Sequence, residues 1–277
     1  MTQAILHAKS DINAMPELPD VETFKRYLNT TSLHQRISSV DVRNAYVLKC
    51  VSARELARRL KGRCFESSRR HGKHLFVRAD GDLWLRLHFG MTGSLKYFKH
   101  EEQAPEHTRV LFVFANAYRL AFEDQRKFGE VSLLKDVDEF LKTRALGPDA
   151  LDIILPQFKE IFGKHRGAVK TILLNQKLIA GIGNLYADEI LFRARIHPAT
   201  PVSALKEKTV AKLFRAARDI LTKAIEAKAD MDRMPKSWLL PHRGKDGKCP
   251  RCGRELKSAT IGGRTAWFCA HCQKRIS

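Results

Sequence analysis

The chain contains no run approaching the 18 consecutive apolar residues that a helix needs to cross a bilayer, no internal repeat and no low-complexity tract. It also lacks a long amphipathic stretch with a basic face opposite an aromatic one. Membrane-spanning, membrane-surface and solenoid classes are therefore set aside. Residues 1–14, MTQAILHAKSDINA, have neither the apolar core of a secretory signal nor the Arg-rich, acid-free character of a transit peptide, so a cytoplasmic protein is expected. Cysteine is scarce outside one place: four of the six lie between 249 and 272. That crowding reads as metal ligands in a reducing compartment and not as a disulfide framework, with Cys50 and Cys64 read as core packing. Acid is short too, because 30 Asp+Glu face 50 Lys+Arg and leave a formal charge of +20. Such an excess implies a polyanionic partner, nucleic acid first.

What is present is enough apolar material, 44% of 277 residues, to bury a core, and the length suggests two lobes. Residues 17–29 place Leu18, Val21, Phe24, Tyr27 and Leu28 near a helical stripe, with acids in the first turn. From 37 to about 135 the pattern becomes some seven short strands punctuated by turn residues, as in a β-sandwich or barrel. After 136 it turns helical, through VDEFLKTRAL, LPQFKEIFGKH, GAVKTILLNQKLI, NLYADEILFRARI and a long helix from Ser203 to Lys228. The expected fold class is α+β: a β-sandwich lobe with a leading helix (15–136), a helical lobe (137–240) and a C-terminal zinc module (241–277). The last of these carries nine Lys/Arg against two acids.

Cys249-Pro-Arg-Cys252 and Cys269-Ala-His-Cys272 stand 16 residues apart. A two-residue gap lets both thiolates of a knuckle face one ion, and the stretch between, with Gly262-Gly263 as its turn, folds one knuckle back on the other. One zinc is expected, in a structural role, because four thiolates leave no position for water. Arg264 follows the turn and suits a phosphate contact, although an arginine beside a turn is more often simply solvated.

Met15-Pro16-Glu17-Leu18-Pro19-Asp20-Val21-Glu22-Thr23 resembles the start of bacterial formamidopyrimidine-DNA glycosylases, a family that includes endonuclease VIII. The resemblance continues at Gly72-Lys73, at His88-Phe89-Gly90-Met91-Thr92-Gly93 and at Asp124-Gln125-Arg126-Lys127-Phe128-Gly129. It extends through Lys177 to Glu189 and to Gly263-Arg264, in the family's order. It implies a β-sandwich lobe, a helix-two-turns-helix lobe and a zinc finger, with double-stranded DNA carrying oxidised bases or abasic sites bound between the lobes by a monomer. It further implies that Pro16, freed of the methionine before it, attacks the sugar C1′ of a flipped nucleotide, with Glu17 as general acid/base. An isolated Pro-Glu pair would otherwise read as an N1 proline and a dipole-favoured acid. Lys73 matches the family's catalytic lysine, and Arg264 with Asn184 its clamp on the phosphate flanking the lesion, Asn184 lying in a Gly-rich turn whose N–H groups suit phosphate. Met91, Arg126 and Phe128 match the residues that fill the void left by the flipped base, although Met91 and Phe128 also read as core. His88, His107 and Arg166 match DNA-contact regions.

Three departures from the family pattern stand out: Asp20 for a usual Glu, Gln125 for a usual Pro, and a segment 229–248 unlike the one that caps 8-oxoguanine in well-known members. The last leads to an expectation of weaker 8-oxoguanine handling than of formamidopyrimidines, abasic sites, hydantoins or oxidised pyrimidines. The competing readings are a non-catalytic DNA-binding relative, if residues 1–14 stay attached and Pro16 remains an amide, and a zinc-ribbon RNA-binding protein, which gives the Pro16–Glu22 block no purpose. Translation from Met15, or removal of residues 1–14, is the expectation.

Overall fold

The computed structural model describes residues 15–275. The expected extension at 1–14 lies outside them. Contacts divide the chain into residues 20–144 with Met15 and Pro16, and residues 145–275 with Glu17–Pro19.

The first unit is built from two four-stranded antiparallel sheets. One has the order β1 (Ile37–Val42), β6 (Thr108–Phe114), β7 (Tyr118–Asp124), β5 (Gly93–Lys99). The other runs β2 (Phe65–His71), β3 (His74–Ala79), β4 (Leu83–His88), β8 (Glu130–Leu134). Alternation with period two turns Leu75 and Val77, Leu85 and Leu87, Val110 and Phe112, and Leu120 and Phe122 into one shared core. Helix α1 (Leu18–Thr31) adds Val21, Phe24 and Leu28 to it, and α2 (Ala53–Leu60) adds Leu56 and Leu60. The Tyr27 hydroxyl accepts the Tyr97 N–H at 2.8 Å and Arg70 donates to Glu22 at 3.0 Å, fixing α1 against both sheets.

The sandwich agrees with the sequence reading, with differences of detail. Helix α2 was not anticipated: ARELARRL is short and half charged, yet Ser52 accepts the Glu55 N–H and caps it. Residues 43–49, read as strand, form a 3-10 turn at Ala45–Val47. Helix α3 (Val137–Thr143) packs in the first unit, so the division by contacts falls after Arg144 and not at 136, because Phe140 lies against His74 and Asp138 pairs with Arg69. Cys50 is exposed and not core.

The second unit packs α4 (Leu155–Lys164), α5 (Val169–Leu174), α6 (Asn184–Ala194) and α7 (Glu207–Glu226) with a hairpin of β9 (Lys257–Ile261) and β10 (Arg264–Phe268). Helix α6 is buried from Leu185 to Phe192 and is the axis of the unit. Helix α5 stops at Leu174, earlier than its apolar pattern suggests. Asn175 turns the chain by accepting the Lys177 N–H, and Gln176 binds both the Gly181 N–H and the Ile182 carbonyl. Helix α7 begins at Glu207 and not at Ser203, since Pro201 leads into a separate 3-10 turn at Val202–Ala204. Among the described residues no helix is long and apolar enough to cross a membrane.

Candidate active site and zinc centre

In the second unit the decisive feature is Glu17. Its side chain is 2% exposed. One carboxylate oxygen accepts the N–H groups of Gly183 (2.7 Å) and Tyr186 (3.3 Å), and the other accepts that of Leu185 (2.8 Å). These are the orphan donors at the start of α6, whose N-cap, Gly183, has no side chain to satisfy them. A carboxylate 166 positions earlier in the chain therefore caps the helix, at the end where the dipole favours negative charge. The Leu18 N–H donates to the Gly181 carbonyl at 3.1 Å, and Gly181, at φ +113°, leaves no room for a Cβ, which would lie 2.5 Å from Leu18 Cδ1. The segment Gly181–Asn184 is thus shaped to receive Glu17. This corrects one expectation: the N–H groups of Gly183, Leu185 and Tyr186 are taken by Glu17 and do not wait for phosphate. Asn184 is the first residue of α6, and its Oδ1 is buried without a protein partner. Pro16 is buried, immediately before Glu17.

Lys73 occupies the two-residue turn of the β2–β3 hairpin, between the paired residues His71 and His74. Gly72 precedes it at φ +55°, the positive value such a turn requires. Behind this turn lies a packed polar cluster. Arg86, 2% exposed, donates to Ser132 Oγ (2.9 Å) and Glu130 Oε2 (2.6 Å), contacts His74 Nδ1 at 3.3 Å, and covers the Phe140 ring at 4.8 Å. The His74 and His88 rings are 4.8 Å apart. Burial, then the positive charge of Arg86, push His88 down to about 4, opposed by Glu130 and, more weakly, by Asp124, with Lys73 adding to the fall; burial and His88 lower His74 as well. Both rings are neutral at pH 7, and His88 Nδ1 accepts the Gly90 N–H at 3.3 Å. As a DNA contact His88 would act as a neutral donor, not as a cation.

This cluster has a consequence for pH. An unfolded imidazole titrates near 6.5, so between that value and about 4 the unfolded chain takes up a proton that folded His88 refuses. Stability should fall as pH drops through this window, by about 3 kcal/mol from His88, with His74 acting in the same direction. Thermal unfolding at pH 7 and pH 4.5 measures this, and the drop should shrink in His88→Gln. A drop of equal size in the variant would contradict it.

The void-filling candidates come together in the first unit. Asp124 is fully buried; it accepts the Thr92 hydroxyl on Oδ1 and the Gly129 N–H on Oδ2, both at 2.6 Å. Thr92 Oγ1 in turn accepts the Arg126 N–H at 2.9 Å. Gly90, at φ +56°, allows the 126–129 loop to lie against it, since a Cβ there would be 2.4 Å from the Phe128 carbonyl carbon. Met91 and the loop bearing Arg126 and Phe128 are therefore neighbours. Phe128 is 56% exposed, which removes the core-packing alternative, and the Arg126 guanidinium stands 5.3 Å from its ring. Met91 is half-buried. The His107 carbonyl accepts the Asp124 N–H, which joins the turn before β6 to the same loop. Arg166 is exposed between α4 and α5.

The four cysteine sulfurs lie within 4.8 Å of one another, with Cys249–Cys272 at 3.9 Å and Cys252–Cys269 at 3.6 Å. A tetrahedral zinc with bonds of about 2.3 Å sets its sulfurs about 3.8 Å apart, so the four residues fit one structural zinc. The hairpin it closes turns at Gly262-Gly263, as anticipated, and presents Arg264 exposed at the start of β10.

Two residues that the sequence reading passed over hold this hairpin. Asp188, fully buried on α6, accepts from Lys170 Nζ (2.6 Å), Arg243 (3.0 Å) and the Trp267 N–H (3.0 Å). Lys170 also donates to the Thr265 carbonyl at 3.1 Å. The edge of β10 that faces away from β9 is thereby tied to α5 and α6 beyond Arg264. The available signal was a charged residue at an apolar-facing position of NLYADEILF. Glu189, beside it, is pushed up to about 8 by burial, opposed by the N–H groups of Leu240 and Leu239. The segment 229–248 packs Met234, Trp238, Leu239 and Leu240 into the unit, and Glu189 accepts the Leu240 N–H at 2.9 Å.

Comparison with known proteins finds relatives along almost all of the described chain. Family models match residues 15–131 (formamidopyrimidine-DNA glycosylase N-terminal domain), 146–235 (formamidopyrimidine-DNA glycosylase H2TH domain) and 247–275 (zinc finger found in FPG and IleRS). The formamidopyrimidine-DNA glycosylase of Bacillus subtilis is 34% identical, and that of Carboxydothermus hydrogenoformans 35%, each aligning over 94% of this chain and all of its own length. The Lactococcus lactis enzyme, solved non-covalently bound to DNA containing an abasic site, superposes with a TM-score of 0.86 at 31% identity, over 94% of this chain and all of that one. The wild-type form of that enzyme in complex with DNA containing N7-benzyl-Fapy-dG gives 0.84 at 30% identity, with the same coverage. Matches of this extent, in a chain that folds as a sandwich, a carboxylate-capped α6 and a four-cysteine hairpin, show that it belongs to the formamidopyrimidine-DNA glycosylase family.

Proposed function

We propose that this DNA glycosylase also cuts the strand, acting as a monomer on double-stranded DNA with oxidised bases or abasic sites and using Pro16 as its nucleophile. The observation that carries the reading is the seating of Glu17 on the α6 N-terminus, which holds a carboxylate next in sequence to Pro16. The amine exists once the peptide bond before Pro16 is cut, and the family match begins at residue 15. Its nitrogen lone pair then attacks C1′ of the damaged nucleotide, the Glu17 carboxylate takes the proton that the nitrogen sheds, and the glycosidic bond breaks as that proton passes to the leaving base. Ring opening of the sugar yields an iminium between Pro16 and C1′. The iminium withdraws electrons and acidifies the C2′ proton; its removal expels the 3′ phosphate, and a second elimination expels the 5′ phosphate. Water finally releases Pro16 from the sugar fragment. Lys73, on its rigid turn, binds the lesion or its phosphate and assists elimination, while Asn184 and Arg264 hold the flanking phosphate. Met91, Arg126 and Phe128 fill the vacated stack, with His88, His107 and Arg166 as further DNA contacts.

The fate of 8-oxoguanine tests the substrate side. Single-turnover strand cleavage of duplexes carrying formamidopyrimidine, a hydantoin, an oxidised pyrimidine, an abasic site or 8-oxoguanine should show the last as slower than the others, because 229–248 is packed into the unit by Trp238 and Leu239. Fastest turnover of 8-oxoguanine would reject this preference, and five intact duplexes would reject the activity.

A further inference from the structure

Two large side chains with exposed rings stand out among the described residues of the first unit, Phe128 at 56% and Tyr46 at 72%. Each has a cation near its ring, Arg126 at 5.3 Å and Lys49 at 5.7 Å. Phe128 belongs to the loop assigned above to void filling. Tyr46 has had no role.

Single exposed apolar residues are ordinary and need no explanation. Tyr46 differs in how it is held. Its 3-10 turn is capped by Asn44, whose Oδ1 accepts the Tyr46 N–H at 3.0 Å, and anchored by fully buried Val47. The N–H groups of Arg43 and Asn44 both donate to the Arg109 carbonyl, at 2.9 and 3.2 Å. The Arg109 side chain in turn donates to the carbonyls of Asp124 (2.7 Å) and Gln125 (3.4 Å), the two residues that lead into Arg126. On its other side the Lys49 N–H donates to the Val131 carbonyl at 2.9 Å, just past the same loop. The turn bearing Tyr46 and the loop bearing Phe128 are thus fastened to one another through Arg109 and β8. Asp41, the carboxylate that precedes this turn in the chain, is engaged with Arg43 at 3.2 Å.

We propose that Tyr46 is a second stacking platform for DNA, set beside the Arg126–Phe128 loop, which takes the face of a nucleotide flanking the lesion while Lys49 lies near its phosphate. An aromatic ring with an adjacent cation on a fixed turn is the combination that binds nucleotides irrespective of base, because every base offers a π-face and every linkage a charge. The proposal rests on the reading of the 125–128 loop as a DNA contact.

The test compares wild type, Tyr46→Ala, Tyr46→Trp and Lys49→Ala in fluorescence-anisotropy binding to a duplex with a stable abasic analogue, at one fixed salt concentration. Tyr46→Ala should bind about tenfold more weakly, the scale of losing one base-stacking aromatic, and Tyr46→Trp should restore the affinity. In parallel, 5-iodouracil placed at successive flanking positions should photocrosslink to Tyr46 from one or two adjacent positions. Equal binding by wild type and Tyr46→Ala, a loss that tryptophan does not restore, or crosslinks that avoid Tyr46 would each overturn the proposal. Failure of the catalytic reading is distinct: it shows as a wild type that binds the damaged duplex and leaves it uncut.

Discussion

Glu17→Gln should fold, melt at a lower temperature and excise damaged bases at least about 100-fold more slowly than wild type, the lower bound for removing a general acid/base. The carboxylate accepts three backbone N–H groups, and at 2% exposure water cannot replace it. An amide keeps one acceptor oxygen but turns an NH2 group toward donors, so at least one N–H at the start of α6 is left unsatisfied. Hydrogen bonds to a charged group contribute about 1.5–3 kcal/mol each, and an orphaned buried donor costs about 1–3 kcal/mol. A loss of about 2–4 kcal/mol is expected for glutamine and more for alanine, which also leaves a cavity. Calorimetry and single-turnover excision on the same preparations separate the two consequences. Stability loss with a retained rate would make Glu17 a helix cap alone, and no change in either would remove it from the account.

Removing zinc should have the second large effect. A two-stranded hairpin is not stable by itself in water, and the apolar cluster under this one is small, with Phe192, Leu239, Leu256 and two of the cysteines at its centre. Structural zinc contributes about 10–16 kcal/mol of binding free energy to such modules. Without it, β10 keeps its tethers to Asp188 and Lys170 while β9 and both knuckles lose their restraint, so Arg264 is no longer held at the tip. Chelation, or Cys252→Ser, should therefore weaken binding to damaged duplex by about 10- to 100-fold, the scale of one charge-assisted phosphate contact, with little change in helical circular dichroism. Unchanged DNA binding by zinc-free protein would detach the hairpin from recognition.

The two results bear on different kinds of legibility. The zinc hairpin was readable because its information is local: two CxxC spacings, a Gly-Gly turn and alternating strands fall within 24 residues. The sandwich was readable from period-two patterns, and the Gly72-Lys73 turn from its glycine. The capping of α6 by Glu17 was not, since nothing near Gly183 points to a partner 166 positions away, and the Gly-rich turn looked like a phosphate cradle for the same reason that it suits a carboxylate. Asp188 and Lys170 were hidden in helix patterns where a charge normally marks the solvent side; here each neutralises the other at 2.6 Å with no exposure. The exposure of Tyr46 and Phe128 depends on packing that no short window contains.

The central claim, that Pro16 is the nucleophile, is tested most directly by borohydride trapping on a duplex with one abasic site, followed by peptide mass mapping. Protein whose first residue is Pro16 should form one covalent adduct with the DNA, located on the peptide that begins with Pro16 and Glu17. Absence of an adduct from that protein, or an adduct on an internal lysine, would contradict the account.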